Sequence, residues 1–309
     1  MKHKRKKIAV LLSLFILFTF IFMLGSIPIF EINKLQNQFV DFKVNKKGIV
    51  EYHIVKKKPK SWVQLKDISK PAVQAIMLSE DWFFYGHHGV DLSQLKEAAI
   101  DSMNGKKLRG ASTISQQVTK NIFFTHDRTI KRKLKELAST IYLENKVSKD
   151  KILEIYLNII QYGKNLYGIR KASKYYFKKS PKKLNAKEGA FLAMLLPSPV
   201  RYAQSFKERK LTDFAKTTVH NILDKMVLAK VMTAKEAARE KKRKLSFEKT
   251  RRSLKGHGNM QRIKKLSDGR DWEERYKYDP DLSLAEDVEY DPDAINDDDL
   301  NIKEEFAVD

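Results

Sequence analysis

The sequence predicts a mainly α-helical body behind one N-terminal membrane-spanning helix. Three observations carry that expectation. The first is an uninterrupted apolar run near the N-terminus. The second is a series of cap-and-breaker signals that frame helices from residue 69 onward. The third is a change of composition near residue 243, after which apolar periodicity fades.

Residues 8–30 carry no charged side chain and are almost wholly aliphatic or aromatic. Roughly 20 apolar residues suffice to cross a hydrocarbon core, so this run is long enough. Lys2, Lys4, Arg5, Lys6 and Lys7 precede it. Positive flanks stay on the cytoplasmic side, which sends the rest of the chain outward. A cleaved signal peptide would have an apolar region of roughly 7–15 residues and a small-residue cleavage site. This run is longer and no Ala-x-Ala site follows it, so an uncleaved anchor is expected. The sequence is thus divided into a basic tail (1–7), an anchor (8–30), a juxtamembrane segment (31–61), a helical domain (62–242) and a charged tail expected to be disordered (243–309).

The chain has 309 residues, no cysteine and a net charge of +23. The missing cysteines exclude disulfides, thiolate metal sites and a Cys nucleophile. The charge is unevenly spread. From Asp268 onward there are 17 acidic and 4 basic residues, a net of −13, which leaves +36 on the first 267. A basic body calls for an anionic partner. For a body held at a membrane, lipid headgroups or pyrophosphate are more plausible than nucleic acid. In 268–309 high charge and few aliphatics argue against a packed core.

Helix signals then appear in order. Ser69 before Pro71 reads as a cap with proline in the first turn, opening a helix that ends near Glu80. Val50–Ile54 alternates weakly, as a short strand does. Further helices are expected over 91–103, from Ser112, over 127–144, over 148–160 and over 207–230. Asn185 with Glu188, and Thr233 with Glu236, have capping-box spacing. The first opens an apolar helix that Pro197 and Pro199 stop.

Four blocks have the residue types of a site. In 80–89, Glu80 and Asp81 adjoin Trp82, Phe83, Phe84 and Tyr85, with His87 and His88 following. Apolar surroundings and a neighbouring negative charge disfavour ionisation, so one carboxylate is suited to act as a general base. The plainer alternative is a surface acidic pair beside a core cluster. In 110–121, four-residue spacing puts Ser112, Gln116 and Lys120 on one helix face, a stripe suited to sugar or phosphate, or simply to water. In 128–136, Arg128, Arg132 and Glu136 share a face with Lys133 beside them. Arginines four apart repel and are better placed around an anion, which guanidinium binds in a fork; the alternative is a solvated basic helix. In 151–158, Ile152, Ile155 and Ile159 are core by spacing, with Lys151, Glu154 and Asn158 as a polar face, and the block reads as scaffold. No metal-ligand spacing, P-loop, GxGxxG or GxSxG occurs.

Taken in order, Glu-Asp-x-x-Phe-x-x-His-x-Gly (80–89), Gly-x-Ser-Thr-Ile-x-Gln-Gln-x-x-Lys-Asn (110–121), Arg-x-x-x-Arg-Lys-x-x-Glu (128–136) and Lys-Ile-Leu-Glu-x-Tyr-Leu-Asn (151–158) resemble the consecutive motifs of the family 51 glycosyltransferases. These are the peptidoglycan glycosyltransferases of class A penicillin-binding proteins and of monofunctional transglycosylases. The resemblance spans roughly 62–235. It implies a lysozyme-like, mainly helical fold with a membrane-associated jaw subdomain, on the outer face of the bacterial cytoplasmic membrane. It also implies polymerisation of lipid II with loss of undecaprenyl pyrophosphate.

By that resemblance Glu80 matches the catalytic base and Asp81 the adjacent acid. Ser112, Gln117, Lys120 and Asn121 match the second motif. Arg128, Arg132 and Lys133 match residues on the donor pyrophosphate, and Glu136 matches a second catalytic glutamate. The implied partners are lipid II, the growing glycan strand, membrane lipids and cell-wall synthesis proteins, not nucleic acid. No cofactor is required, although Mg or Mn near Glu136 is compatible with the pattern. Two positions depart from it. Thr218 stands where the family often has arginine, and Gly86 where a bulkier residue is usual. The sequence carries no Ser-x-x-Lys transpeptidase domain after the tail, so the monofunctional type is expected. The competing readings are a glycan-cleaving enzyme on the same fold and a non-catalytic membrane scaffold.

Overall fold

The computed structural model describes residues 27–45, 49–94, 96, 100, 112–124 and 129–248. All lie in the first of the two units into which the chain divides, Met1–Arg251. The expected anchor therefore lies largely outside the described residues, as do the cytoplasmic tail and everything from residue 249. No helix among the described residues is long and apolar enough to cross a membrane.

The body is mainly helical. In chain order it contains α1 (Ile29–Lys34), a β-hairpin of β1 (Phe39–Val44) and β2 (Val50–Val55), α2 (Lys70–Glu80), α3 (Ile114–Phe123), α4 (Ile130–Lys146) and α5 (Lys149–Ile159). A short pair, β3 (Gln161–Gly163) and β4 (Leu166–Tyr167), follows. The remainder is α6 (Ile169–Phe177), α7 (Ala186–Leu195), two single turns α8 (Pro199–Tyr202) and α9 (Gln204–Lys207), then α10 (Asp213–Leu228) and α11 (Ala234–Lys242).

Caps explain most of the helix starts. Asn185 and Thr233 form the two capping boxes legible in the sequence, and Thr113 with Gln116 forms a third. Thr129, Ser148 and Thr212 each accept one N–H of their helix's first turn. Such bonds satisfy amide hydrogens that a helix start otherwise leaves unpaired. Ser69, expected as a cap, makes no side-chain cap bond; α2 opens instead with proline in its first turn. The helix expected over 207–230 starts later, at Asp213, because Thr212 caps α10 and Lys207 ends a separate turn.

The core is built around α7, all ten of whose residues are buried. It packs most extensively on α2, and α10 covers both. The approach is close. A Cβ on Gly189 would stand 2.5 Å from the Ala72 Cα, so only two small residues let these backbones meet. This packing fixes the axis of α2 and thus the place where it ends, at Glu80.

Residues 31–61, read from sequence as a juxtamembrane segment, supply core as well. Ile32 and Leu35 are fully buried. The hairpin pairs Phe39 with Val55 through Val44 with Val50, and Phe39 packs edge-on against Trp62. The first residues of the expected tail, 243–248, supply core too. Leu245 and Phe247 are buried, and Phe247 sits among Phe177, Phe191 and Phe206. Two isolated apolar residues give no periodic signal, yet both are buried, Phe247 in an aromatic pocket.

Candidate active site

Three helices meet at Glu80. It closes α2, because Asp81 leaves the helical conformation (φ −153°, ψ 85°). The bend turns the Asp81 carboxylate inward, where it is 1% exposed. It accepts from His87 Nε2 at 2.9 and 3.0 Å and from the Ile114 N–H at 3.0 Å. The His87 Nδ1 accepts from the Gly89 N–H at 3.1 Å, so the ring proton is on Nε2. Thr113 Oγ1 donates to the Gly89 carbonyl at 2.7 Å and also caps α3. This closed set of bonds seats the start of α3 against the end of α2.

One turn along α3, Gln117 Nε2 donates to Glu80 Oε2 at 2.9 Å. From α5, the Tyr156 hydroxyl donates to the same oxygen at 3.3 Å. Burial pushes the Glu80 carboxyl above the usual glutamate range. The Gln117 and Tyr156 bonds pull it back, Asp81 adds to the rise, and Lys225 on α10 opposes it. Burial disfavours the charged form while donors to it favour it, and here burial wins.

The second glutamate has a different setting. Glu136 on α4 is 1% exposed, with Arg132 Nη1 on Oε2 and Lys133 Nζ on Oε1, each at 2.6 Å. Lys120 on α3 connects the two regions. Its ammonium is pushed down, first by burial, then by Lys133 and Arg132, against the pull of Glu136 and Glu80. Both glutamates therefore act on one lysine.

Several expected site residues fall where the sequence put them, and others do not. Gln117, Lys120 and Asn121 are partly exposed on α3. Ser112 is exposed but lies two residues before the helix, so it does not share their face. Gln116 is buried in the capping box rather than part of a polar stripe. The physical reason is that Thr113 caps the helix and sets its phase. Arg128 lies outside the described residues. Asp81 is engaged internally and turned away from solvent. Gly86 has Phe83 over it, with ring atoms 2.2–2.6 Å from where a Cβ would stand.

Sequence reasoning missed Tyr156, His87, Thr113 and Lys225. Tyr156 stands in a run of core residues, and its ring reads as one of them. The polar face of α5 is not solvated either. Glu154 accepts from Trp62 Nε1 and the Leu65 N–H, each at 2.9 Å, and Asn158 bonds both the N–H and the carbonyl of Val63 at 2.8 Å. These bonds clamp residues 62–65 onto the helix that carries Tyr156.

The residues around Glu136 do not fit a resident divalent cation. Both carboxylate oxygens are held by cationic side chains that repel a metal ion. Among the described residues no group of three or more His, Asp or Glu side chains is placed to hold one.

The chain belongs to the transglycosylase family, whose model it matches over residues 46–227. It is 37% identical to penicillin-binding protein 1F of Bacillus subtilis over 215 residues, 65% of this chain and 29% of that protein. With penicillin-binding protein 2D of the same organism the identity is 41% over 180 residues, 58% of this chain and 26% of the relative. With the biosynthetic peptidoglycan transglycosylase of Pasteurella multocida it is 40% over 167 residues, 54% and 66%. The chain thus spans about a quarter to two thirds of the length of these relatives.

Proposed function

We propose that this chain is a peptidoglycan glycosyltransferase that polymerises lipid II on the outer face of the cytoplasmic membrane, through a lysozyme-like domain. The observation that carries the reading is Glu80. It is held by two neutral donors, its carboxyl is raised by burial, and cations follow on α3 and α4. Membership of the transglycosylase family supports the same reaction class, as do relatives named biosynthetic peptidoglycan transglycosylase.

In this mechanism Glu80 takes the proton of the acceptor sugar 4-hydroxyl. The freed oxygen pair forms a bond to the anomeric carbon of the donor strand, with inversion. The anomeric C–O bond to pyrophosphate breaks, and its electron pair leaves with undecaprenyl pyrophosphate. A base with its pKa raised toward the working pH transfers protons efficiently. Lys120, Arg132 and Lys133 face the growing negative charge of the leaving group, where preorganised cations stabilise the transition state. Glu136 holds Arg132 and Lys133 in place. Asp81 sets the α2–α3 geometry from behind the site.

The test is lipid II polymerisation by the full chain and by its Glu80→Gln variant. Glycan strands from the parent and none from the variant are expected. Equal synthesis by both would overturn the role of Glu80. Muropeptide release from finished peptidoglycan, without polymer from lipid II, would replace synthesis by cleavage.

A further inference from the structure

The two donors to Glu80 come from different helices and converge on one oxygen. Gln117 on α3 and Tyr156 on α5 both bond Oε2. Among the described residues nothing bonds Oε1. Two donors from separate, packed helices fix both the position of a carboxylate and its rotation, which one donor does not.

We propose that Tyr156 is a positioning residue for the base: together with Gln117 it pins Glu80 through Oε2 and leaves Oε1 as the oxygen that meets the acceptor hydroxyl. This rests on the reading of Glu80 as the base.

Tyr156 suits that task. It is fully buried, and its hydroxyl has only two partners among the described residues, Glu80 Oε2 and, at 3.5 Å, Gln117 Oε1. A buried hydroxyl of this kind is kept for its hydrogen bond. Burial, then the nearby Glu80 charge, raises the phenol well above its usual value, so it stays a neutral donor throughout turnover. Its single hydrogen serves two acceptors in turn. While Glu80 is ionised the hydrogen favours the carboxylate, since charged acceptors bind more strongly. Once Glu80 takes a proton, the Gln117 carbonyl oxygen is close enough to receive it. The hydroxyl thus stabilises the ionised base and releases the protonated one.

The neighbouring Tyr162 provides the control. Its hydroxyl is buried within reach of the Glu80 charge, yet it bonds no described residue.

The experiment compares the full chain, Tyr156→Phe and Tyr162→Phe in two ways. One is the pH dependence of initial polymerisation rate on lipid II. The other is a carbon-13 titration of glutamate-labelled protein, with the Glu80 signal assigned by its loss in Glu80→Gln. Thermal melting verifies that each variant folds. For Tyr156→Phe we expect an unchanged KM, a kcat lower by about tenfold, the worth of one hydrogen bond to a charged group, and an acid limb moved to higher pH. The titration midpoint of Glu80 moves up with it, because a bond that favoured the carboxylate is gone. Tyr162→Phe leaves both unmoved. An unshifted Glu80 midpoint in Tyr156→Phe, or an equal shift in Tyr162→Phe, overturns the proposal. If the parent makes no polymer, the functional reading fails, and the carbon-13 titration still decides whether Tyr156 governs Glu80.

Discussion

Glu80 and Glu136 are both largely buried, both lie in the same body and both are held by two donors, yet their settings are opposite. Glu80 receives an amide and a phenol, which are neutral. Glu136 receives a guanidinium and an ammonium. Neutral donors leave burial to raise the Glu80 carboxyl, whereas Glu136 ties two cationic side chains in place at 2.6 Å each. The lesson is that the partners, more than the burial, assign the roles. On the proposed mechanism Glu80 exchanges a proton and Glu136 anchors charge.

The largest effect that tests this contrast is at Glu80. Replacing it by Gln is expected to lower the polymerisation rate by roughly 10²–10⁴, the usual worth of a general base. Stability moves the other way. A carboxyl whose folded pKa is raised contributes stability below its unfolded pKa and loses it as pH rises through the folded value. Glu80→Gln is therefore expected to melt like the parent in acid and at a higher temperature at neutral and alkaline pH. A lower melting point at pH 8 would contradict the raised carboxyl.

Asp81→Ala comes next. It leaves the Ile114 N–H and His87 Nε2 without an acceptor in a nearly water-free place. The expected cost is about 2–3 kcal/mol of stability, seen in denaturant melts, together with a fall in kcat as α3 loses its seat. Loss of activity at parental stability would mean that Asp81 acts on substrate instead.

Glu136→Gln is expected to be milder in stability, about 1–2 kcal/mol. Lys133 is 46% exposed and Arg132 18%, so water compensates in part. Its main effect should be a lower kcat in the polymerisation assay, shallower than that of Glu80→Gln, because Arg132 and Lys133 lose their anchor. A kcat loss as deep as that of Glu80→Gln would break the contrast.

Smallest is Ser112→Ala, expected to leave rate and stability within about 0.5 kcal/mol of the parent, since Ser112 is exposed and off the α3 face. A large loss in the polymerisation assay would restore it to the site.

Much of the helical body was legible in the sequence because its signals are local. The Asn185 and Thr233 capping boxes, Pro71 in the first turn of α2, and the spacing of Ile152, Ile155 and Ile159 each act within one or two turns of helix. Boundaries failed where a cap competed. Thr113 took the helix start expected at Ser112 and drew Gln116 out of the expected polar stripe into the capping box, while Gln117, named by the second motif, bonds Glu80. Tail and juxtamembrane residues failed for another reason. Phe247 is an isolated apolar position and Ile32 and Leu35 trail the apolar run expected as an anchor, and only distant chain segments give them a pocket.

For the site, the linear order of residues supplies the chemical groups: a glutamate in an aromatic block, an amide and a lysine on the next motif, and a cation cluster with its own glutamate. How those groups pair follows from the packing of the helices. Tyr156 is 76 residues from Glu80, and its ring is indistinguishable from core in a linear pattern. Asp81 reads as a site acid in the linear pattern, and in the fold His87 and the Ile114 N–H bond its carboxylate. Local spacing fixes a residue's place on its own helix, but a carboxylate's pKa depends on burial and on donors from other helices, and those exist only once the helices have packed.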